Sequence, residues 1–205
     1  IGSNNILLGV QSGYNNLSNS IVAVGNQSGY NNTTNIKNTY LGTKSGYNTT
    51  SGDGNTFVGN ESGYSNSLSS GSFNTAIGNE AGHSITTGAR NVLIGSTSSS
   101  NGISNDSAGW SLSSGTDNIH IGVTSGSLAT TAANNVLIGS GVGTAITNSG
   151  NNVLIGKSAG TSLNTIGQSV IIGSGAGDVN TTGNALMMGY NAGIGYTGSE
   201  AFAIG

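Results

Sequence analysis

The chain of 205 residues contains no cysteine and no proline, and only 5% of its residues are charged. Without cysteine there is no disulfide framework and no thiolate metal site. A net charge of −3 without runs of one sign argues against binding to nucleic acid or to an anionic membrane. So little charge also argues against a disordered chain. No apolar run approaches the roughly 20 residues that span a bilayer, so we expect no membrane insertion in this segment.

Glycine, in contrast, is abundant, with 37 residues at regular intervals. Apolar triplets that end in glycine recur along the chain, as in NTFVG from Asn55, NTAIG from Asn74 and NVLIG from Asn91. The glycines after these triplets follow one another at 16 or 17 residues, apart from one spacing of 19 and one of 27. A period this regular indicates a solenoid, in which each repeat contacts only its neighbours. Glycine, asparagine, serine and β-branched residues disfavour helix, so the repeats are expected to be β.

The repeat predicts an all-β fold, a parallel β-solenoid (β-roll or β-helix) of about twelve 16–17-residue coils, each with two short strands and a turn. We expect residues 1–205 to form a single repeat domain that is a segment of a longer fibre. The long spacing places an inserted loop within residues 96–117. The asparagine that opens most repeats, from Asn5 to Asn152, is predicted to form a ladder of side-chain amides bonded from coil to coil.

The orientation of each triplet follows from the alternation of side chains along a strand. The position before the glycine is apolar in every repeat, so we predict that it faces the interior, together with the position two residues earlier. Thr39, Thr56 and Thr75 belong to this inner set. The middle position is then predicted to point outwards as an apolar stripe of a kind that monomers rarely expose. Its bulky members form the predicted oligomer interface: Leu7, Tyr40, Phe57, Leu93, His120, Leu137, Leu154, Ile171 and Met187.

Three copies packed in parallel around one axis would bury such stripes, so a parallel homotrimer is expected. The units NTFVGNESGY, NTAIGNEAGH and NVLIGKSAG resemble the head repeats of trimeric autotransporter adhesins. They resemble even more the repeat arrays of phage-like tail-fibre and surface proteins with an endosialidase-type chaperone. The resemblance implies an elongated extracellular trimer on a cell or virion surface. Such a trimer holds a binding tip away from that surface. The period of 16 to 17 residues is longer than in the adhesin heads.

Catalysis needs titratable groups that converge, and the seven carboxylates of this chain are scattered. Glu61 and Glu80 occupy the same position on adjacent coils and would lie near each other as a general-acid pair, but exposed, solvated carboxylates are the favoured interpretation. His83 and His120 are isolated, and the GGxGxD pattern of calcium-binding β-rolls is absent. We interpret His120 as a packed histidine, with an ion site on the trimer axis as the alternative. No catalytic residue, cofactor or metal site is predicted.

Aromatic residues follow the second glycine of successive coils. Aromatic side chains one strand repeat apart stack as a ladder or present flat faces to sugar rings, and we favour the ladder. The inserted segment contains the only tryptophan, and loops on a rigid scaffold often carry function, although a tryptophan that only covers one flank of the roll is the alternative. The predicted ligand contacts are Trp110, Asp106, Tyr14, Tyr30, Tyr47 and Tyr64, and His83 continues the tyrosine series.

Eight N-x-S/T sequons lie outside the predicted inner columns. In a chain so rich in asparagine, serine and threonine, chance supplies many of them, and glycosylation depends on the host. The candidate acceptors are Asn16, Asn26, Asn31, Asn32, Asn48, Asn60, Asn105 and Asn180.

Together these features predict a non-enzymatic structural and adhesive fibre module that projects loops for attachment to a surface or glycan. Its expected partners are further copies of itself and a host-surface glycan or protein. The first alternative is a filament subunit that stacks end to end through uncapped β ends. The second is an ice-binding solenoid, which is disfavoured because the threonines fall in the predicted inner column. An enzyme acting on polysaccharide is the last alternative.

Overall fold

The computed structural model describes residues 2–34, 36–65, 69–96, 106–163, 167–178, 184–196 and 200–205. Over these ranges the chain is an all-β parallel solenoid, and no helix occurs in them. Twelve strands form one sheet in which each strand pairs with the next one along the chain. The strands are β1 (Ile6–Leu8), β2 (Val22–Val24), β3 (Thr39–Leu41), β4 (Thr56–Val58), β5 (Thr75–Ile77), β6 (Val92–Ile94), β7 (Ile119–Ile121), β8 (Val136–Ile138), β9 (Val153–Ile155), β10 (Val170–Ile172), β11 (Ala185–Met188) and β12 (Ala201–Ile204).

Strands β1 to β10 each coincide with one triplet, and β11 and β12 begin one residue before theirs. Equivalent triplet positions stand in register, as Phe57 does opposite Ala76. The prediction of a second strand in each coil is wrong within the described ranges. The second half of a coil takes left-handed backbone, with φ of 53° at Glu61 and 59° at Gly63. These segments nevertheless bond from coil to coil, since the Gly63 N–H donates to the Ala81 carbonyl at 3.0 Å. The coil therefore keeps its ladder of backbone hydrogen bonds through the turns.

The predicted orientation of the strands is wrong. The middle residue of each triplet faces the interior of its own coil: Tyr40 and Leu93 are fully buried, and Phe57 is 2% exposed. The two flanking residues face outwards and are half-buried or exposed, as in Leu41 at 47% and Ile77 at 39%. Alternation along a strand shows which residues share a face, but it does not show which face the chain wraps around.

Three sets of side chains fill the interior of a coil, and they explain which face is inside. The middle strand residue shares one buried cluster with a small residue beyond the glycine and with a third residue from the far side of the coil, as in Leu154, Ala159 and Leu163, all fully buried. Where the small residue is serine, its hydroxyl donates a hydrogen bond to the backbone of the next strand. Ser45 Oγ, for example, donates to the Phe57 carbonyl at 2.8 Å. Small side chains permit this close approach across a narrow coil.

The glycine that ends each triplet is required by both conformation and space. At Gly59 φ is 136°, which is outside the range that side chains with a Cβ adopt. A Cβ there would lie 2.3 Å from the carbonyl oxygen of Gly78 on the next coil. The strict recurrence of this glycine therefore follows from the close stacking of successive coils.

The predicted asparagine ladder is confirmed. Asn91 is fully buried, and its side-chain amide donates to Asn74 Oδ1 at 2.9 Å and to the Gly115 carbonyl at 2.8 Å. Its Oδ1 in turn accepts the backbone N–H and the side-chain amide of Asn118, each at 3.0 Å. Each such asparagine ties one coil to the next at a buried position, where an unmade hydrogen bond would be costly.

Candidate functional site

The outer face of the sheet is apolar along all twelve strands. It consists of the first and third residues of the core triplets, 24 positions that carry no charge and only three polar residues, the threonines of β3, β4 and β5. Many of its side chains are well exposed in the single chain, including Ile6 at 60% and Phe202 at 73%. We call this surface the outer face. Single exposed apolar residues are ordinary, whereas a continuous stripe of them indicates an interaction surface.

The residues predicted to form an oligomer interface do not lie on this surface. They belong to the middle column of the strands, which points into the coil because the chain wraps around that side of the sheet. Leu7 is half-buried against the core, and the others are at most 2% exposed: Tyr40, Phe57, Leu93, His120, Leu137, Leu154, Ile171 and Met187. As an assignment of exposed contact residues, the interface prediction is therefore wrong.

The predicted inner position of the three threonines is also wrong. Thr39, Thr56 and Thr75 stand on adjacent strands in register, half-buried on the outer face instead of inside the coil. The positions of these threonines therefore do not argue against ice binding.

Six rings stack in one continuous column along the roll. The ring centroids of Tyr14 and Tyr30 are 5.1 Å apart, those of Tyr30 and Tyr47 4.9 Å, and those of Tyr47 and Tyr64 5.2 Å. His83 follows Tyr64 at 5.1 Å. The predicted ladder is confirmed, and we call this column, with Trp110 as its sixth ring, the aromatic ladder.

Trp110 continues the ladder, which the sequence analysis missed. Its indole lies 5.0 Å from His83, with the two ring planes 6° apart. The signal was present in the sequence, because SAGW at 107–110 repeats the pattern of ESGY at 61–64 and EAGH at 80–83. Trp110 thus belongs to a regular turn of the coil. Residues 97–105, the remainder of the inserted segment before that turn, lie outside the described residues.

Stacking also decides which parts of the rings face solvent. Tyr30, Tyr47 and Tyr64 each have a ring on both sides at about 5 Å, so their faces are covered and only their edges remain available. Flat contact with a sugar requires an open ring face. These tyrosines are therefore placed to stabilise the roll and not to stack on a ligand.

A polar network runs beside the ladder and holds Trp110 in place. The indole Nε1–H donates to Glu80 Oε2 at 3.2 Å. Burial raises the pKa of the Glu80 carboxyl above its usual range, and the hydrogen bond from Trp110 partly offsets this effect. Glu80 is only 8% exposed, so its interpretation as a solvated carboxylate is wrong.

Glu61, on the preceding coil, pairs with a cation. Lys44 Nζ lies 3.1 Å from Glu61 Oε1 and 5.7 Å from the centroid of the Tyr64 ring. The hydrogen bond to Glu61 raises the pKa of Lys44. His83 Nε2 is 4.0 Å from Glu61 Oε2, but burial lowers the pKa of His83 and keeps its imidazole neutral at neutral pH. Glu61 and Glu80 therefore have separate partners, Lys44 and Trp110.

His120 is a packed histidine, as the sequence analysis favoured. It is fully buried in β7, opposite Leu93 of β6 and Leu137 of β8. Neither ring nitrogen has a hydrogen-bond partner in the described part of the chain. Burial lowers the pKa of His120 to about 3. The alternative of an ion site on a trimer axis is wrong, because His120 points into its own coil.

The other candidate residues fall into two groups. Asp106 is half-buried at the start of the turn that carries Trp110, and its charge contributes to the raised pKa of Glu80, after burial and the charge of Glu61.

Asn16 and Asn32 are buried, and the Asn32 amide donates to Asn16 Oδ1, so neither is an accessible glycan acceptor. The sequons that retain exposed or half-buried asparagines are Asn26, Asn31, Asn48 and Asn60, while Asn105 and Asn180 lie outside the described residues.

No cluster of three or more histidine, cysteine or acidic side chains suited to a metal ion occurs among the described residues. No helix long and apolar enough to cross a bilayer occurs in these ranges. Comparison of the chain with protein-family models, with curated proteins and with solved structures gives no match.

Proposed function

We propose that the chain is a structural fibre module that associates with further copies of itself, as a parallel homotrimer, through the outer face. In that role it holds attachment sites for a surface or glycan away from the body that carries it. The module is non-enzymatic and works outside the cell, on a cell or virion surface. The observation that carries the proposal is the continuous uncharged stripe on the outer face.

The size of the outer face suits association between copies. Twelve strands at about 4.8 Å give a length of about 53 Å. Two columns of side chains make it about 10 Å wide, so the stripe covers on the order of 500 Å² per chain. This is at the upper end for the largest apolar patch of a monomer and approaches the contribution of one partner to a standard interface.

The composition of the outer face favours a second copy over other partners. A face without charge offers nothing for electrostatic recognition of a charged partner. Its β-branched residues recur at a constant spacing, which a parallel copy would match along the whole length. The choice of three copies and the attachment role both come from the resemblance to adhesin heads and tail-fibre repeats.

The oligomeric state tests the proposal directly. Light scattering on the purified chain should give about 60 kDa, three times the 20.1 kDa of one chain. The double variant Ile138→Lys with Ile155→Lys places charges on adjacent strands of the outer face and should give the monomer mass. Circular dichroism should remain that of the unaltered protein, because neither side chain lies inside the coil.

The matched control carries the same charges elsewhere. Thr131→Lys with Asn148→Lys also alters exposed positions but leaves the outer face intact, and it should remain a trimer. A wild-type chain that is folded and monomeric would contradict the proposal. Continuous filaments in electron micrographs would support end-to-end stacking instead of discrete fibres.

Ice binding is the second candidate, and one observation favours it. The outer face is regular and rich in β-branched residues, with Thr39, Thr56 and Thr75 aligned on adjacent strands. Measurement of thermal hysteresis separates this function from assembly. Hysteresis that is lost in Thr56→Lys, with the oligomeric mass unchanged, would establish it.

A further inference from the structure

The outer face contains one polar segment, which consists of three threonines on consecutive strands. Thr39, Thr56 and Thr75 take the first position of β3, β4 and β5 and stand directly opposite one another in the sheet. Every other position of the outer face carries an apolar side chain. We call these three residues the threonine block. The block spans about 10 Å and lies away from the middle of the twelve strands.

The hydroxyl groups of the threonine block have no hydrogen-bond partner in the described part of the chain. Threonines elsewhere on the roll bond to the next coil, as Thr86 Oγ1 does to the Ser113 carbonyl at 3.1 Å. In the block only the backbone is paired, since the Thr56 N–H donates to the Asn74 carbonyl at 2.8 Å. The three hydroxyls therefore remain available on the outer face, where their side chains are half-buried.

Association through the outer face would remove these hydroxyls from water. A buried hydroxyl without a partner is unfavourable, but a hydroxyl is both donor and acceptor, so it can bond to the same group of a second chain. Parallel copies at the same height bring each threonine beside the same threonine of a neighbour. A shift by one coil, about 4.8 Å, matches only two of the three threonines, and a shift by three coils matches none.

The position of the block also distinguishes the two orientations of a neighbouring copy. In an antiparallel arrangement that covers all twelve strands, β3, β4 and β5 face β10, β9 and β8. The threonines then lie against Val170, Val153 and Val136, and their hydroxyls stay unpaired. Antiparallel copies match the threonines only if β4 faces β4, which leaves β8 to β12 without a facing strand. Of these arrangements, only parallel copies at the same height pair the threonines and cover the whole outer face.

We propose that the threonine block sets the parallel orientation and the register of the associated copies, through hydrogen bonds between threonines at the same height. This inference rests on the proposed association through the outer face and states how one copy recognises another. Polar residues in apolar interfaces have this effect in coiled coils, where a single buried asparagine specifies the register. The apolar residues of the outer face supply the buried area, and the block supplies the alignment.

A variant with the block moved along the roll tests the proposal. This shifted variant exchanges the threonines of β3 to β5 with the valines of β8 to β10, so its composition equals that of the unaltered chain. Its six substitutions are Thr39→Val, Thr56→Val, Thr75→Val, Val136→Thr, Val153→Thr and Val170→Thr. All six side chains lie outside the coil interior, and both residue types are β-branched, so circular dichroism should show the unaltered fold. Light scattering should give each chain the same oligomeric mass.

Coexpression of the two chains, one with an affinity tag, and native mass spectrometry then count mixed and unmixed oligomers. If the block sets the register, each chain should assemble with itself, and mixed oligomers should fall at least about tenfold below random mixing. Tagged and untagged copies of the unaltered chain are the control and should mix at random. A block-free variant, with only the three threonine-to-valine changes, is a second probe. It should also mix poorly with the unaltered chain, but less so, because only one partner then buries unpaired hydroxyls.

Two results would overturn this inference and leave association through the outer face standing. Random mixing of the unaltered chain with both variants would mean that the threonines do not affect the register. Preferential formation of mixed oligomers with the shifted variant would mean that the copies run antiparallel, because the block of each chain then faces the moved block of its partner. A monomeric mass for the unaltered chain would instead overturn the proposed association itself.

Discussion

His120 is the residue whose chemistry is least suited to its position. It occupies the middle of β7 between Leu93 and Leu137, with both ring nitrogens unpaired in the described part of the chain. A buried polar group without a partner costs about 1–3 kcal/mol. We therefore expect His120→Leu, which continues the leucine column, to raise the free energy of unfolding by about that amount at pH 7, as measured by urea denaturation.

The same substitution should remove a pH dependence. The unfolded chain protonates His120 near pH 6.5, whereas the folded chain keeps it neutral until about pH 3. Between these values the unfolded state binds more protons, so the histidine adds no pH dependence above pH 6.5 and lowers stability as the pH falls towards 3. The slope is about 1.4 kcal/mol per pH unit.

Carboxylates titrate in both proteins, so the informative quantity is the difference between the unaltered chain and His120→Leu. That difference should grow as the pH falls from 7 to 4.5. A constant difference over this range would mean that the folded imidazole accepts a proton as readily as the unfolded one.

At the scale of the repeat, the glycine after each triplet sets how closely the coils stack. Gly59→Ala would combine a forbidden backbone conformation with a Cβ 2.3 Å from the Gly78 carbonyl oxygen. We expect a loss of more than about 2 kcal/mol in the free energy of unfolding. Gly167→Ala is the control, because among the described residues its Cβ would meet only the Gly150 carbonyl oxygen at 3.5 Å, an ordinary contact. Equal denaturation midpoints for the two variants would contradict the assigned role of the triplet glycine.

The elements themselves could be predicted from the sequence, because the repeat supplies the same signal twelve times. Every apolar triplet before a glycine is a strand, and the asparagine and tyrosine columns form the ladders that their spacing indicates. The second half of each coil, where a second strand was predicted, could not be predicted in the same way. Left-handed backbone at Glu61 and Glu80, neither of them glycine, is imposed by the neighbouring coils and has no clear local signature.

The prediction of which strand face points into the coil was wrong for a different reason, which lies in residue size. The outer columns are apolar apart from three threonines, and on sequence alone such columns indicate a core. In part of the interior, neighbours instead compensate in size: small Ala23 lies beside Tyr40, and Ala76 lies between Phe57 and Leu93. Variation in size, from alanine to tyrosine, was the signal that the middle column is packed inside. Uniform size suits a surface that meets the same partner at every coil.

For the whole molecule, a charged substitution should have different effects on the two faces of one strand: loss of the fold on the inner face and loss of association on the outer face. Leu93 is fully buried in the coil, and Ile94 lies beside it on the outer face. Leu93→Asp places an uncompensated charge in the interior, which costs several kcal/mol, so we expect loss of the folded protein. Ile94→Asp places the same charge on the outer face, so it should weaken association and leave the single chain folded.

The comparison needs two measurements on each variant, circular dichroism for the fold and light scattering for the mass. Leu93→Asp should lose the β signal, because each coil is stabilised only by its neighbours and unfolding at β6 removes the support of the coils on both sides. Ile94→Asp should keep the β signal and shift the mass from about 60 kDa towards the 20.1 kDa of one chain. If Leu93→Asp remained folded and Ile94→Asp unfolded, the interior would lie on the other side of the sheet. If Ile94→Asp kept the full oligomeric mass, association would have to use a surface other than the outer face.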